Sequence, residues 1–170
     1  MLGFIFWLLS LIFAQAFGAP TVYSSKKAVF DALKLSNIKK GEVIIDLGCG
    51  DARTLILAAR EFGAKGIGVD RSPFCSLKSK LNVLLSRQRK NIHIYFGDFS
   101  KIENFLPEAD VVFLYLLNSA NQKIENWLFD KISKKTRVVS LAFQFKNHFP
   151  KKSEKTVTLG RITPIYLYKK

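Results

Sequence analysis

Val43-Ile-Ile-Asp-Leu-Gly-Cys-Gly-Asp51 is an apolar run that ends in an acid, turns through two glycines and opens onto a helical pattern. Val43, Ile44 and Ile45 are β-branched and continuous, which suits a strand buried on both faces. Gly48 and Gly50 give the backbone freedom where a ligand must come close. From Ala52 the residues Leu55, Ile56, Ala58, Ala59 and Phe62 recur at helical spacing until Gly63 ends the helix. A second short strand, Lys65 to Asp70, ends in another acid. A third, Ile92 to Phe96, leads into Gly97-Asp98-Phe99. Strand, glycine turn and helix, with acids at successive strand ends, describe a nucleotide-type cofactor cleft at the carboxyl edge of a parallel sheet.

The glycine spacing selects among cofactors. A dinucleotide loop wants G-x-G-x-x-G, and Arg53 stands where the third glycine would be. No Gly-Lys-Ser/Thr closes the loop as a P-loop would require. Asp70 is placed to accept hydrogen bonds from both hydroxyls of a ribose. Each aspartate taken alone also suits a turn or a helix cap. For Asp51, directly before the helix, capping and cofactor contact stay equal alternatives. Asp46, Asp70 and Asp98 taken together favour binding.

The remaining pattern, D-x-G-x-G-D, resembles the first motif of class I S-adenosylmethionine-dependent methyltransferases. The resemblance implies an α/β fold: a Rossmann-like seven-stranded sheet, mostly parallel, with an antiparallel strand near the C-terminus. It implies S-adenosyl-L-methionine as cofactor and no metal. Asp46, Leu47, Gly48, Cys49, Gly50 and Asp51 would wrap its methionine part, with Asp46 holding the turn or the cofactor amine. Asp70 and the following Arg71 complete the second strand end. Gly97, Asp98 and Phe99 would meet the adenine, the acid at its amine and Phe99 on its ring.

The rest of the chain supplies the expected elements. Ser24 or Ser25 caps a helix to about Leu35, and Leu77 to Leu85 reads as the helix after the second strand. Ala109 to Tyr115 is the fourth strand, Asn118 to Lys131 a helix, and Thr136 to Ala142 the fifth strand. Lys155 to Leu159 and Ile162 to Tyr168 form a closing antiparallel pair around Gly160-Arg161.

Residues 1–22 carry no charged side chain and are almost all apolar. A spanning helix needs about 20 such residues, and this run narrowly qualifies. Ala14-Gln-Ala16 resembles a signal-peptidase site, but no Lys or Arg precedes the apolar core. Lys26, Lys27, Lys34, Lys39 and Lys40 all follow it, so the positive-inside rule puts the domain on the cytoplasmic side of a single-pass anchor. The expected division is residues 1–19 as transmembrane or signal-anchor segment and 20–170 as methyltransferase domain.

Net charge is +14, from 27 basic against 13 acidic residues. Between Asp70 and Asp98 there is no acid, only Arg71, Lys78, Lys80, Arg87, Arg89 and Lys90. Such a face attracts anionic lipid or nucleic acid, and beside an anchor lipid is the simpler partner. Cys49 and Cys75 lack metal spacing and read as reduced thiols. His93 reads as structural, and nothing near His148 in the sequence marks it as a ligand.

Nearly the whole chain is similar to small prokaryotic protein lysine methyltransferases and to their membrane-anchored mitochondrial relatives. The residues that carry this are Gly18-Ala-Pro-Thr-Val-Tyr-Ser-Ser25, Asp46 to Asp51 with Arg53, Phe113-Leu-Tyr-Leu-Leu117 with Asn121, and Thr136-Arg-Val-Val-Ser140. The resemblance implies a lysine-bearing protein substrate, in some cases membrane-embedded. It places Tyr115 near the transferred methyl and Val22, Tyr23 and Ser24 in the loop lining the site. Tyr23 stands where the family has a second proline. Phe113, Tyr115, Phe143 and Phe145 would line an apolar lysine channel, or serve only as core. No Asn-Pro-Pro-Tyr follows the fourth strand, which counts against adenine and glutamine methylation. An RNA methyltransferase using the basic face is the alternative, followed by a non-catalytic membrane-tethered binding domain.

Overall fold

The computed structural model describes residues 24–170. The expected anchor (residues 1–19), Val22 and Tyr23 lie outside the described residues. In chain order the elements are α1 (Lys26–Ser36), β1 (Val43–Leu47), α2 (Arg53–Phe62), β2 (Lys65–Asp70), α3 (Pro73–Leu85), β3 (Ile92–Phe96) and a 3₁₀ helix (Phe99–Glu108). Then follow β4 (Val111–Leu114), α4 (Asn118–Lys131), β5 (Arg137–Leu141), β6 (Lys152–Thr158) and β7 (Arg161–Lys169).

The seven strands form one sheet in the order β3-β2-β1-β4-β5-β7-β6. β1 pairs in parallel with β2 on one side and with β4 on the other. The chain therefore winds outward in both directions from β1, and the crevice opens at the carboxyl ends of β1 and β4. β7 runs antiparallel between β5 and β6. The expected mostly parallel sheet with an antiparallel strand near the C-terminus is what the chain forms. Among the described residues no helix is long and apolar enough to cross a membrane.

β1 is apolar apart from Asp46 because both its faces are covered. Ile44 packs with Ala28, Val29, Leu33, Leu55 and Ala58 on the side of α1 and α2. Ile45 and Leu47 pack with Ile102, Leu106, Leu128 and Phe129 on the side of the 3₁₀ helix and α4. α1 starts as expected at Ser25, whose hydroxyl accepts from the Ala28 amide at 3.1 Å. β2 carries Gly68 where α2 crosses it, and a Cβ there would sit 2.8 Å from Leu55 Cδ1.

Three boundaries depart from expectation. α3 begins at Pro73, not at Leu77, because the Ser72 hydroxyl accepts from the Cys75 amide at 3.2 Å and Pro73 takes the first helical position. The segment Phe99–Glu108 is a 3₁₀ helix containing Pro107, where no element was expected. β6 starts at Lys152 rather than Lys155; its first residues are exposed and polar, and only the ladder to β7 makes them a strand.

Candidate cofactor site

Asp46, next to last in β1, is almost fully buried, at 3% exposure. Burial pushes its carboxyl up to about 8; a hydrogen bond from Thr54 opposes the rise, and the charges of Asp70 and Asp51 add to it. Gly48 follows with φ of 84°, and a Cβ there would lie 2.8 Å from Leu116 Cδ2, so only glycine fits the turn. The Gly48 and Cys49 amides both donate to the Val69 carbonyl, at 2.9 and 3.0 Å, pinning the loop across the end of β2. The Gly50 amide donates to Asp70 Oδ2 at 2.9 Å and the Ser72 amide to Asp70 Oδ1 at 2.8 Å. Each Asp70 oxygen thus takes one main-chain donor and keeps acceptor capacity for another.

Leu47 and Cys49 point their side chains into the two core layers, so only their main chain can face a ligand. Burial pushes the Cys49 thiol well up, with Asp46 and Asp70 adding to the rise, which leaves it a poor nucleophile. Asp51 is not a simple helix cap. The cap position is Ala52, in left-handed conformation with no side-chain bond. Asp51 instead grips Arg53, with Oδ2 at 2.7 Å from Nη2 and Oδ1 at 2.9 Å from Nε. Burial raises the Asp51 carboxyl, but the Arg53 hydrogen bonds and charge outweigh it and hold the group below its ordinary range. Arg53 also donates through Nη1 to the Ser24 carbonyl, and Asn82 of α3 donates to the Asp51 carbonyl at 3.0 Å. Arg53 therefore ties the start of the described chain to the glycine loop. The sequence used it only to exclude a dinucleotide.

The third strand end stands somewhat apart. The Gly97 amide donates to the Asp70 carbonyl at 3.0 Å, which joins it to β2. Asp98 is exposed and caps the 3₁₀ helix, its Oδ1 accepting from the Ser100 amide at 2.9 Å and from the Ser100 hydroxyl. Those bonds hold its carboxyl below the usual range, and Arg71 and Lys101 lower it further. Phe99 stacks against Trp127 at 6.2 Å. Asp46, Asp51 and Asp70 thus share one electrostatic field, whereas Asp98 answers to Arg71.

At the end of β4, Tyr115 lies half-buried against the α1–α2 core layer, and burial pushes its phenol upward. Phe113 and Phe145 are core residues, the latter edge-on to Phe129 at 5.3 Å. They cannot line an open channel. Asn121, buried at the start of α4, donates to Ser140 Oγ at 3.2 Å and to the Phe143 carbonyl at 3.3 Å. Its Oδ1 has no partner in the described chain. Glu125, one turn on, accepts from the amides of Lys146, Asn147 and His148 at 3.1, 2.6 and 2.9 Å. It also meets His148 Nδ1 at 2.9 Å, and His148 stacks flat on Phe129 at 3.6 Å. Burial raises the Glu125 carboxyl, and its hydrogen bonds to His148 and the loop amides outweigh that rise. Nothing in the sequence marked Glu125, since a lone glutamate on a helix reads as surface. Among the described residues no His, Cys, Asp and Glu cluster could hold a metal ion.

The model of the ANTKMT methyltransferase domain matches residues 46–152, from the buried acid of β1 to the first residue of β6. The chain belongs to this family. It is an S-adenosylmethionine-dependent methyltransferase of class I, and the glycine turn, the open main chain and the twin acceptors of Asp70 suit that cofactor. The chain is 29% identical over 150 residues to a protein-lysine N-methyltransferase of Saccharolobus islandicus, covering 88% of this chain and 92% of that protein. It is 25% identical over 131 residues to an ATP synthase C-subunit lysine N-methyltransferase of Xenopus laevis, covering 77% of this chain but only 56% of that protein. The crystal structure of an RNA methyltransferase from Salinibacter ruber in complex with S-adenosyl-L-homocysteine superimposes with a TM-score of 0.78. It is 34% identical and covers 87% of this chain and 93% of that one.

Proposed function

We propose that this ANTKMT-family enzyme methylates the side-chain amine of lysine in a membrane or membrane-associated protein. The supporting observation is the match to the Saccharolobus protein-lysine enzyme over nearly the full length of both proteins. S-adenosyl-L-methionine, when bound, supplies a methyl group already activated by its sulfonium, so positioning a neutral amine in line supplies most of the effect. In this reading the chain's own groups bind and orient. Asp46 takes the cofactor ammonium, whose charge offsets the burial cost that otherwise keeps the carboxyl protonated. Asp70 takes the ribose hydroxyls on its two remaining acceptor positions. Gly48 and Gly50 bring the main chain to the methionine part, and Gly97, Asp98 and Phe99 border the adenine. Tyr115 and the loop of Tyr23 shape the apolar mouth in which a lysine ammonium sheds its proton more easily than in water. Residues 1–19 anchor the domain 20–170 at the cytoplasmic face of a membrane.

A second reading has its own support. The Salinibacter relative bears the name of an RNA methyltransferase, and a chain of +14 net charge attracts phosphate. The two separate in one assay. The full chain is given radiolabelled S-adenosylmethionine with a membrane fraction and with total RNA. We expect label that protease removes and ribonuclease does not, with methyllysine found by mass spectrometry. Ribonuclease-sensitive label would put RNA in place of protein. Cofactor binding with no transfer to either would leave the tethered binding domain.

A further inference from the structure

α3 is built inside out. Its buried residues are Cys75, Ser76, Ser79 and Val83, and the Ser79 hydroxyl is spent on the Ser76 carbonyl at 2.8 Å. Its large apolar residues face the other way: Phe74, Leu77, Leu81, Leu84 and Leu85 are between 52% and 71% exposed. At helical spacing these five fall within an arc of about 100°. Lys78 and Lys80 flank the arc, one on each side. Phe96, at the end of the edge strand β3 against which α3 packs, is exposed as well. An ordinary surface helix turns such a stripe to the core, and an outward stripe of this size marks a docking face.

Charge identifies the occupant. Arg71, Lys80, Arg87, Arg89 and Lys90 are exposed around this stripe, and no acid occurs between Asp70 and Asp98. A second copy of the same face would set cations against cations. Residues 1–22 carry no charged side chain and would leave these cations unanswered. An anionic bilayer answers both halves, with leucines and phenylalanine in the acyl boundary and cations at the headgroup phosphates. We propose that α3 lies along an anionic membrane surface with its Phe74–Leu85 stripe inserted. This rests on the membrane part of the function proposed above and deepens it. Pro73 follows closely on Asp70, so docking α3 sets the rim of the cofactor site beside the bilayer, where lysines of membrane proteins emerge.

The test uses the full chain with an environment-sensitive label at Leu81→Cys, at Lys123→Cys on the exposed side of α4, or at Ile162→Cys beside the β6–β7 turn. The native cysteines are buried and stay unlabelled. On vesicles of phosphatidylcholine with phosphatidylserine, nitroxide lipid should quench the label at 81 about tenfold more than either other label. Lys80→Gln and Arg89→Gln should each shift the label at 81 toward water, lowering the ratio of docked to undocked α3 roughly fivefold whether or not residues 1–19 hold the chain on the vesicle. The double change Leu77→Glu, Leu84→Glu should return the label at 81 to water, with thermal melting and cofactor binding unchanged. A water-exposed label at 81 on anionic vesicles overturns the proposal. So does a label at depth at 162 with 81 in water. A label already shielded without lipid assigns the face to residues 1–22 or to a second copy, told apart by mass. Shielding by RNA in place of vesicles assigns it to nucleic acid. None of these failures touches methylation of a soluble lysine peptide, and loss of that activity with docking intact would sink the substrate class alone.

Discussion

At the amino edge of the sheet Arg137 donates to the Ser36 and Asn37 carbonyls, both at 2.8 Å, and meets Glu42 at 2.6 Å. Beside it Asp110 accepts from the Val43 amide at 2.9 Å and faces Lys135 at 3.6 Å. At the carboxyl edge Asp46, Asp51 and Asp70 crowd together, and Asp51 is paired with Arg53. The first arrangement locks α1, β1, β4 and β5 to one another. The second buries a carboxyl, Asp46, among like groups with no cation to offset that cost, which is what a site for a cationic ligand requires. Polar residues at one end stabilise the protein, and at the other they cost stability that a ligand restores.

The contrast can be broken from either side. Arg137→Met should lower unfolding free energy by about 3 kcal/mol, because it strands Glu42 and two carbonyls. Urea titration would show this, and cofactor affinity of the folded fraction should not change. Asp70→Ala should weaken S-adenosylmethionine binding about 100-fold in calorimetry. An unchanged affinity would remove Asp70 from the site.

Asp46→Asn should act with the opposite sign on stability. The folded Asp46 carboxyl titrates at about 8 against an ordinary 3.8, so the folded chain holds a proton that the unfolded chain releases. Its contribution is complete below about pH 4 and is lost as pH rises to 8. The asparagine variant lacks that loss, and its advantage should grow by about 4 kcal/mol between pH 5 and 8. If the cofactor ammonium meets Asp46, binding to the parent near pH 7 should release protons. Calorimetry in buffers of different ionisation heat would detect them. The smallest effect belongs to Asp98, which is exposed and serves as a cap. Asp98→Ala should weaken cofactor binding less than Asp70→Ala does, and Asp98→Asn, which keeps an acceptor for Ser100, less again.

The two edges also differ in what a sequence discloses of them. The β1 loop was legible because its signals are local: β-branched residues, two glycines and an acid within one short run. β2, β3 and α4 were legible for the same reason. Asp51 was local too, but its pairing with Arg53 was not legible, because capping and pairing demand the same residue at the same place. α3 was obscure for a different reason. Periodicity reveals that one face is apolar but not that this face turns outward, and the start at Pro73 rests on the Ser72 cap rather than on periodicity. The Glu125 cradle had no signal, since its partners Lys146, Asn147 and His148 arrive from beyond β5. The start of β6 is fixed only by its neighbour β7.

The place of β7 has a consequence for how the molecule comes into being. β5 and β6 do not touch each other as strands; β7 separates them, with Arg137 opposite Lys169 and Thr158 opposite Arg161. As the chain folds, both therefore keep open edges until residues 161–169 have paired between them. The parallel half of the sheet, β1 to β4, faces no such delay. The folding chain then passes through a half-built stage with two bare strand edges, the kind of species that aggregates or recruits chaperones. Deleting residues 161–170 should make that stage the end point, and the shortened chain should aggregate on refolding where the full chain recovers.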